Sequence, residues 1–218
     1  MPSSKLSMFS VFSTLAKLLT SAVLLLGLAA QANAAGDVAR GKRLSYTCLG
    51  CHGIANYKNV YPTYSVPKLL GQHPEYIVAA LKAYKSKERA HGTMHAQAVS
   101  LNDQDMEDIA VYFAGEPLKP GAAAVGSAPT KVTELCVACH GKDGIGITGE
   151  YPSLAGQHAD YLLRSLEEYK KGDRKNAIMG GFVTTLKSDE LEVIAEYYAK
   201  QRPELLTAKR RVFWFSAQ

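Results

Sequence analysis

Two stretches of the chain carry the same helical stripe of apolar residues. Met106, Ile109, Ala110 and Phe113 recur at i, i+3, i+4 and i+7, and so do Leu191, Ile194, Ala195 and Tyr198. Each stripe predicts an amphipathic helix with one buried face. Asp103 stands in the capping position of the first and Ser188 in that of the second, while Gly115 ends the first. Upstream, Asp37 caps a predicted helix over 38–46. Pro74 suits the first turn of another over about 74–87, where its missing N–H costs nothing. Residues 53–66 and 89–94 lack periodicity and read as loops. No strand alternation competes, so the pattern predicts an all-α fold.

The pattern occurs twice. Pro67-Lys68-Leu69-Leu70-Gly71-Gln72-His73 is echoed 85 positions later by Pro152-Ser153-Leu154-Ala155-Gly156-Gln157-His158. Tyr76, Leu81, Tyr84, Lys85, Arg89, Met94 and Leu101 answer to Tyr161, Leu166, Tyr169, Lys170, Arg174, Met179 and Leu186. This internal duplication divides the chain into an N-terminal domain over 35–116, a Pro/Gly/Ala linker over 117–124 and a C-terminal domain over 125–203. A tail over 204–218 follows, with Lys209-Arg210-Arg211 beside Phe213, Trp214 and Phe215. It reads either as a packed terminus or as a segment touching a membrane surface or partner. Ahead of the repeats, residues 18–30 form an apolar run preceded by Lys5 and Lys17 and followed by Ala32-Asn33-Ala34. That is the layout of a cleaved secretory signal over 1–34, and the run is too short to span a bilayer.

Charge excludes one class of function. The formal net charge is +5, and without the two lysines of the leader it is +3. Both domains are nearly balanced and the tail holds most of the excess, so nothing resembles the basic face of a nucleic-acid binder.

The candidate chemistry lies in Cys48-Leu49-Gly50-Cys51-His52 and Cys136-Val137-Ala138-Cys139-His140. C-x-x-C-H is the attachment signature of a c-type haem. Two cysteines one helical turn apart can bond to the two vinyl groups of one porphyrin, and the adjacent histidine can reach the iron. A zinc site is the rival, but zinc gathers four ligands from paired motifs, and pooling two such pentapeptides would leave ligands over. The motifs account for all four cysteines, leaving none for a structural disulfide. Two covalently bound haem c groups are therefore expected. They would act as the hydrophobic centres of domains small for an independent core.

For the sixth iron ligand the repeat is informative. Met106 belongs to an apolar stripe, whereas Met94 and Met179 match each other and each follows an arginine by five. Thioether opposite imidazole gives an electron-transfer haem of raised potential. His95 answers to Gly180 and His91 to Asn176, so neither can be a ligand shared by both domains. His73 and His158 do match, but beside the Pro-x-Leu-x-Gly-Gln turn they read as surface or supporting groups. Pro67 and Pro152 are either simple turn residues or carbonyl acceptors for Nδ1–H of His52 and His140. Arg89 and Arg174 either neutralise haem propionates or are solvated surface residues.

In these motifs, in the Arg-x-x-x-x-Met segments and in the Leu seven residues after each methionine, the chain resembles the dihaem cytochrome c4 family over residues 36–202. The resemblance implies two tandem class I cytochrome c domains related by pseudo-twofold symmetry, with axial pairs His52/Met94 and His140/Met179. It implies a periplasmic electron carrier, loosely held at the inner membrane, between the quinol-oxidising complex and a terminal oxidase. Two alternatives remain at this point: a cytochrome subunit on a flavoprotein dehydrogenase of the sulfide dehydrogenase type, and a dihaem peroxidase with an open iron site.

Overall fold

A computed structural model describes residues 36–209. The predicted leader and the aromatic end of the tail, 210–218, lie outside the described residues. Helices α1 (Val38–Leu44), α2 (Leu49–His52), α3 (Pro74–Lys85), α4 (Gly92–Ala98) and α5 (Asp103–Ala114) build the N-terminal half. A π-helical turn (Val132–Cys136) runs into α6 (Val137–His140), followed by α7 (Ala159–Lys171), α8 (Ala177–Val183) and α9 (Ser188–Ala199). Among the described residues, extended pairing is confined to isolated antiparallel bridges.

The two predicted stripes are the cores. Met106, Ile109 and Phe113 of α5 are buried against Ile77 and Leu81 of α3. Leu191, Ile194 and Tyr198 of α9 are buried against Leu162 of α7. Burying a side chain of this size contributes ~1.5–3 kcal/mol. Helix α1 crosses α5 at backbone distance because Gly41 has no side chain. A Cβ there would fall 1.9 Å from the Asp108 carbonyl oxygen. Asp37 caps α1, accepting from the N–H groups of Ala39 and Arg40. Arg40 pairs with both Asp105 and the buried Asp108 of α5.

Several boundaries differ from the sequence reading. The first helix stops at Leu44 and the third at Lys85. The caps of α5 and α9 are Asn102 and Lys187, one residue before Asp103 and Ser188. At α5 the Asn102 side chain accepts from the Asp105 N–H while the Asp105 carboxylate accepts from the Asn102 N–H. At α9 only the return bond is made, from the Lys187 N–H to the Glu190 carboxylate. The approach to the second Cys motif, for which no helix was predicted, is the π-helical turn. The predicted linker is pinned: the N–H groups of Gly121 and Ala122 donate to Asp143, and just beyond it Val125 N–H donates to Gln201.

The halves meet through reciprocal contacts between matched residues. Gly71 and Gly156 take φ of +92° and +64°, a left-handed turn that glycine adopts without strain. The turn presents the next residue, Gln72 or Gln157, to the other half. Gln72 Nε2 donates to Ser153 O (2.9 Å) and its Oε1 accepts from Ser153 N (2.8 Å). Gln157 does the same to Lys68, at 2.9 Å in both directions. Arg89 and Arg174 face each other in an antiparallel bridge, flanked by Ala90 N to Asp173 O (3.0 Å) and Lys175 N to Glu88 O (2.7 Å). Every partner in these pairs is the repeat-equivalent of its opposite number, as a pseudo-twofold axis requires. The start of the tail is packed. Leu205 is fully buried, Leu206 pairs with Leu70 (3.0 and 2.9 Å), and Ala208 joins the N-terminal core.

Candidate haem sites

Each Cys-x-x-Cys-His segment ends in a one-turn helix, α2 or α6, which buries its histidine. His52 Nδ1 lies 2.9 Å from Pro67 O, and His140 Nδ1 lies 2.9 Å from Pro152 O. A carbonyl oxygen only accepts, so Nδ1 carries the proton and Nε2 keeps its lone pair for a metal. Burial pushes both imidazoles below the usual histidine range, with the proline carbonyls pulling the other way. Each ring meets the matched aromatic of the last helix edge-on, Phe113 at 6.2 Å and Tyr198 at 6.5 Å. None of the four cysteines is joined in a disulfide. Among the described residues no three His, Cys, Asp or Glu side chains converge as a zinc site would require.

Met94 and Met179 do not sit in loops. They occupy the first turns of α4 and α8, and the helices escaped notice because they are short and glycine-bearing. His91 Nδ1 accepts from Met94 N–H (3.3 Å), and Asn176 Oδ1 accepts from Met179 N–H (3.0 Å). The apparent mismatch of His91 with Asn176 thus conceals one shared task, capping the methionine helix. Lys85 and Lys170 each donate to the carbonyl of Leu101 or Leu186, fastening the far end of the same segment. His95 Nδ1 is taken by Tyr84 O (2.9 Å), and His73 Nε2 reaches Gly146 O of the other half (3.1 Å). His158, half-buried, is the N-cap residue of α7.

In the C-terminal half these pieces enclose a cavity of about 450 Å³ with Cys136, Cys139 and His140 on one side and Met179 among the other walls. The fit of a haem to this space rests on charge as well as room. Arg89 and Arg174 both line the cavity and are only 8% and 5% exposed, so neither is the solvated residue the sequence left open. Arg89 donates to Tyr76 Oη (2.8 Å) and Arg174 to Tyr161 Oη (3.1 Å). Their guanidiniums also lie over Tyr84 (5.3 Å) and Tyr169 (5.1 Å). Among the described residues no carboxylate pairs with either, and Arg174 Nε is buried without a hydrogen-bond partner. Burying unpaired cations is costly, and carboxylates of a bound group would relieve that cost. The thiols, imidazole, thioether, apolar walls and two cations together suit a haem.

Gln72, Gln157, Tyr76 and Tyr161 hold this arrangement, yet sequence reasoning gave them no role. Their recurrence across the repeat was the available signal; the glutamines find their partners in the opposite half, and the tyrosines theirs, Arg89 and Arg174, further along their own half.

Comparison with known proteins agrees with the geometry. The cytochrome c family profile matches residues 38–115 and again 129–200. Cytochrome c4 of Pseudomonas aeruginosa is 35% identical, the match covering 83% of this chain and 96% of that one. The thiosulfate dehydrogenase electron acceptor of Stutzerimonas stutzeri is 30% identical, over 70% of this chain and 77% of its own. The solved cytochrome c4 of Acidithiobacillus ferrooxidans superposes with a TM-score of 0.56 at 30% identity, covering 71% of this chain and 98% of that structure. The chain therefore belongs to the cytochrome c4 family, as a dihaem electron-transfer cytochrome and not an enzyme, with one haem c bound covalently at Cys48/Cys51 and the other at Cys136/Cys139.

Proposed function

We propose that the chain is an exported, periplasmic carrier that accepts electrons from a quinol-oxidising complex and passes them toward a terminal oxidase. Residues 1–34 serve as its leader, 35–116 and 125–203 as its two domains and 117–124 as the link. When bound, each haem supplies a one-electron Fe(III)/Fe(II) couple. The residues around it set the rest. His52 and Met94 would ligate the iron in one half, and His140 and Met179 in the other. The carbonyls of Pro67 and Pro152 hold the imidazole orientation and basicity. Arg89 and Arg174 bind propionates in a site from which water is largely excluded.

The observation that carries this reading is the cavity that has His140 and Met179 among its walls, with the equivalent residues of the first half held by equivalent bonds. With thioether ligands supplied by both methionines, neither iron would keep an open position for peroxidase chemistry. The test is an optical spectrum with haem stoichiometry. Two haems per chain are expected, with the weak far-red band of methionine-ligated ferric haem. Met94→Ala and Met179→Ala should each remove about half of that band and open one iron to carbon monoxide after reduction. A wild type lacking the band, or reacting with carbon monoxide, would reject the assignment.

A second reading has the similarity to a thiosulfate dehydrogenase electron acceptor in its favour. On it the immediate donor is a dehydrogenase and not the quinol-oxidising complex. Affinity purification of the full chain separates the two: a stable dehydrogenase partner supports the second, and turnover with quinol-reduced membranes supports the first. The described residues contain no helix long and apolar enough to cross a membrane. Any membrane contact is assigned to 210–218, and deleting that segment should lower the share of cytochrome recovered with washed membranes.

A further inference from the structure

The cavity of the C-terminal half is not closed by that half alone. Tyr76, Ala83 and Arg89, all N-terminal, form part of its wall beside Arg174, Tyr169 and Met179. Arg89 is fixed there twice over. Its backbone belongs to the bridge with Arg174, and its guanidinium is held by Tyr76 Oη and lies over Tyr84. Two buried guanidiniums that face one space repel each other, and the polypeptide supplies neither with a carboxylate among the described residues. Glu88, the acidic residue nearest in sequence, is exposed and forms no ion pair with either among the described residues.

We propose that Arg89 is a positioning residue for the haem of the other half. Carried by the N-terminal half, it joins Arg174 in holding the carboxylates of the haem that sits between His140 and Met179, and it raises the potential of that haem. The inference rests on the ligand assignment proposed above. The direction follows from electrostatics: a fixed positive charge disfavours the more positive ferric state, so removing it lowers the potential. It also follows that the C-terminal site is complete only while the two halves are docked.

The test uses the full-length dihaem protein. A redox titration followed by NMR through the hyperfine-shifted axial methyl signals of Met94 and Met179 gives each haem its own midpoint. In Arg89→Leu the Met179-side haem should become easier to oxidise, its oxidised-to-reduced ratio at fixed ambient potential rising roughly three- to tenfold, the scale of one screened interior charge. Tenfold corresponds to 59 mV for one electron. Arg89→Lys keeps the charge and should keep the Met179-side midpoint close to the wild-type value, which a merely structural defect would not allow. A shift confined to the Met94-side haem, no shift at either, or an equal shift in the lysine variant would overturn the proposal. A wild type without the Met179 signal would instead defeat the ligand assignment, so the two failures are told apart.

Discussion

Replacing Gln72 by leucine tests whether the two halves are held by specific polar contacts or merely by apolar burial. Gln72 is 3% exposed and Ser153, its partner, 1%. The substitution nearly conserves volume but strands the Ser153 N–H and C=O, which have 2.8 and 2.9 Å partners in the wild type. A buried backbone group without a partner costs ~1–3 kcal/mol, and leucine returns part of this through its own burial, so the expected loss is ~2–4 kcal/mol. Gln157→Leu removes the equivalent bonds to Lys68, but Lys68 is only half-buried and water can replace them. That variant should lose ~1–2 kcal/mol. The double variant should cost less than the sum, because an interface opened at one site offers less to lose at the other. Urea denaturation of the ferric protein, followed by Soret absorbance and far-UV circular dichroism, measures all three. If Gln157→Leu proves as destabilising as Gln72→Leu, or if both lie below about 0.5 kcal/mol, the burial argument fails.

Other consequences are equally open to measurement. Burial alone would push the Asp108 carboxyl up, but hydrogen bonds from Arg40, the Asp37 N–H and Gln104 hold it below the usual carboxylate range. With a folded pKa below the unfolded ~3.9, its stabilisation is present above that value and disappears as pH falls through the folded one. Asp108→Asn should therefore be less stable at neutral pH and show a shallower acid loss in thermal melts between pH 5 and pH 2. Gly41→Ala forces a Cβ against the Asp108 carbonyl, and overpacking of this kind costs ~1–3 kcal/mol or more; calorimetry should show the N-terminal half melting first. Leu205→Ala empties a fully buried site and should cost ~2–5 kcal/mol in chemical denaturation.

What the sequence disclosed and what it withheld divide along sequence separation. The α5 and α9 stripes were readable because a helix imposes a period of 3.6 on any chain that buries one face. The attachment motifs were readable because the covalent chemistry fits in five residues. Helices α4 and α8 were missed since their seven residues include Gly92, or Gly180 and Gly181, and have no stripe of their own. Short helices of this kind depend on tertiary contact, here the caps at His91 and Asn176 and the lysines fastening Leu101 and Leu186. Nor does the composition around Arg89 or Arg174 indicate burial. Arginine is ordinarily exposed, and these two are buried by tyrosines of their own half together with the facing copy of the repeat. Gln72 finds Ser153 across 81 positions, a partnership that no local pattern encodes.

The duplication also explains why interface residues come in matched pairs while the surfaces beside the haem sites do not. A contact across a twofold axis must work in both directions, so each copy is held to Gly71 or Gly156, Gln72 or Gln157, and Arg89 or Arg174 by the demands of the other. No such constraint acts on the methionine helices where they border the haem sites. There the C-terminal half places Ile178 and Phe182, partly exposed and lining its cavity, where the N-terminal half carries Thr93 and Gln97, the latter hydrogen-bonded to Thr47 at 3.0 Å. The interface between the halves is thus symmetric by necessity, and the borders of the haem sites are free to diverge. Two haem sites built to one plan can in this way present different surfaces.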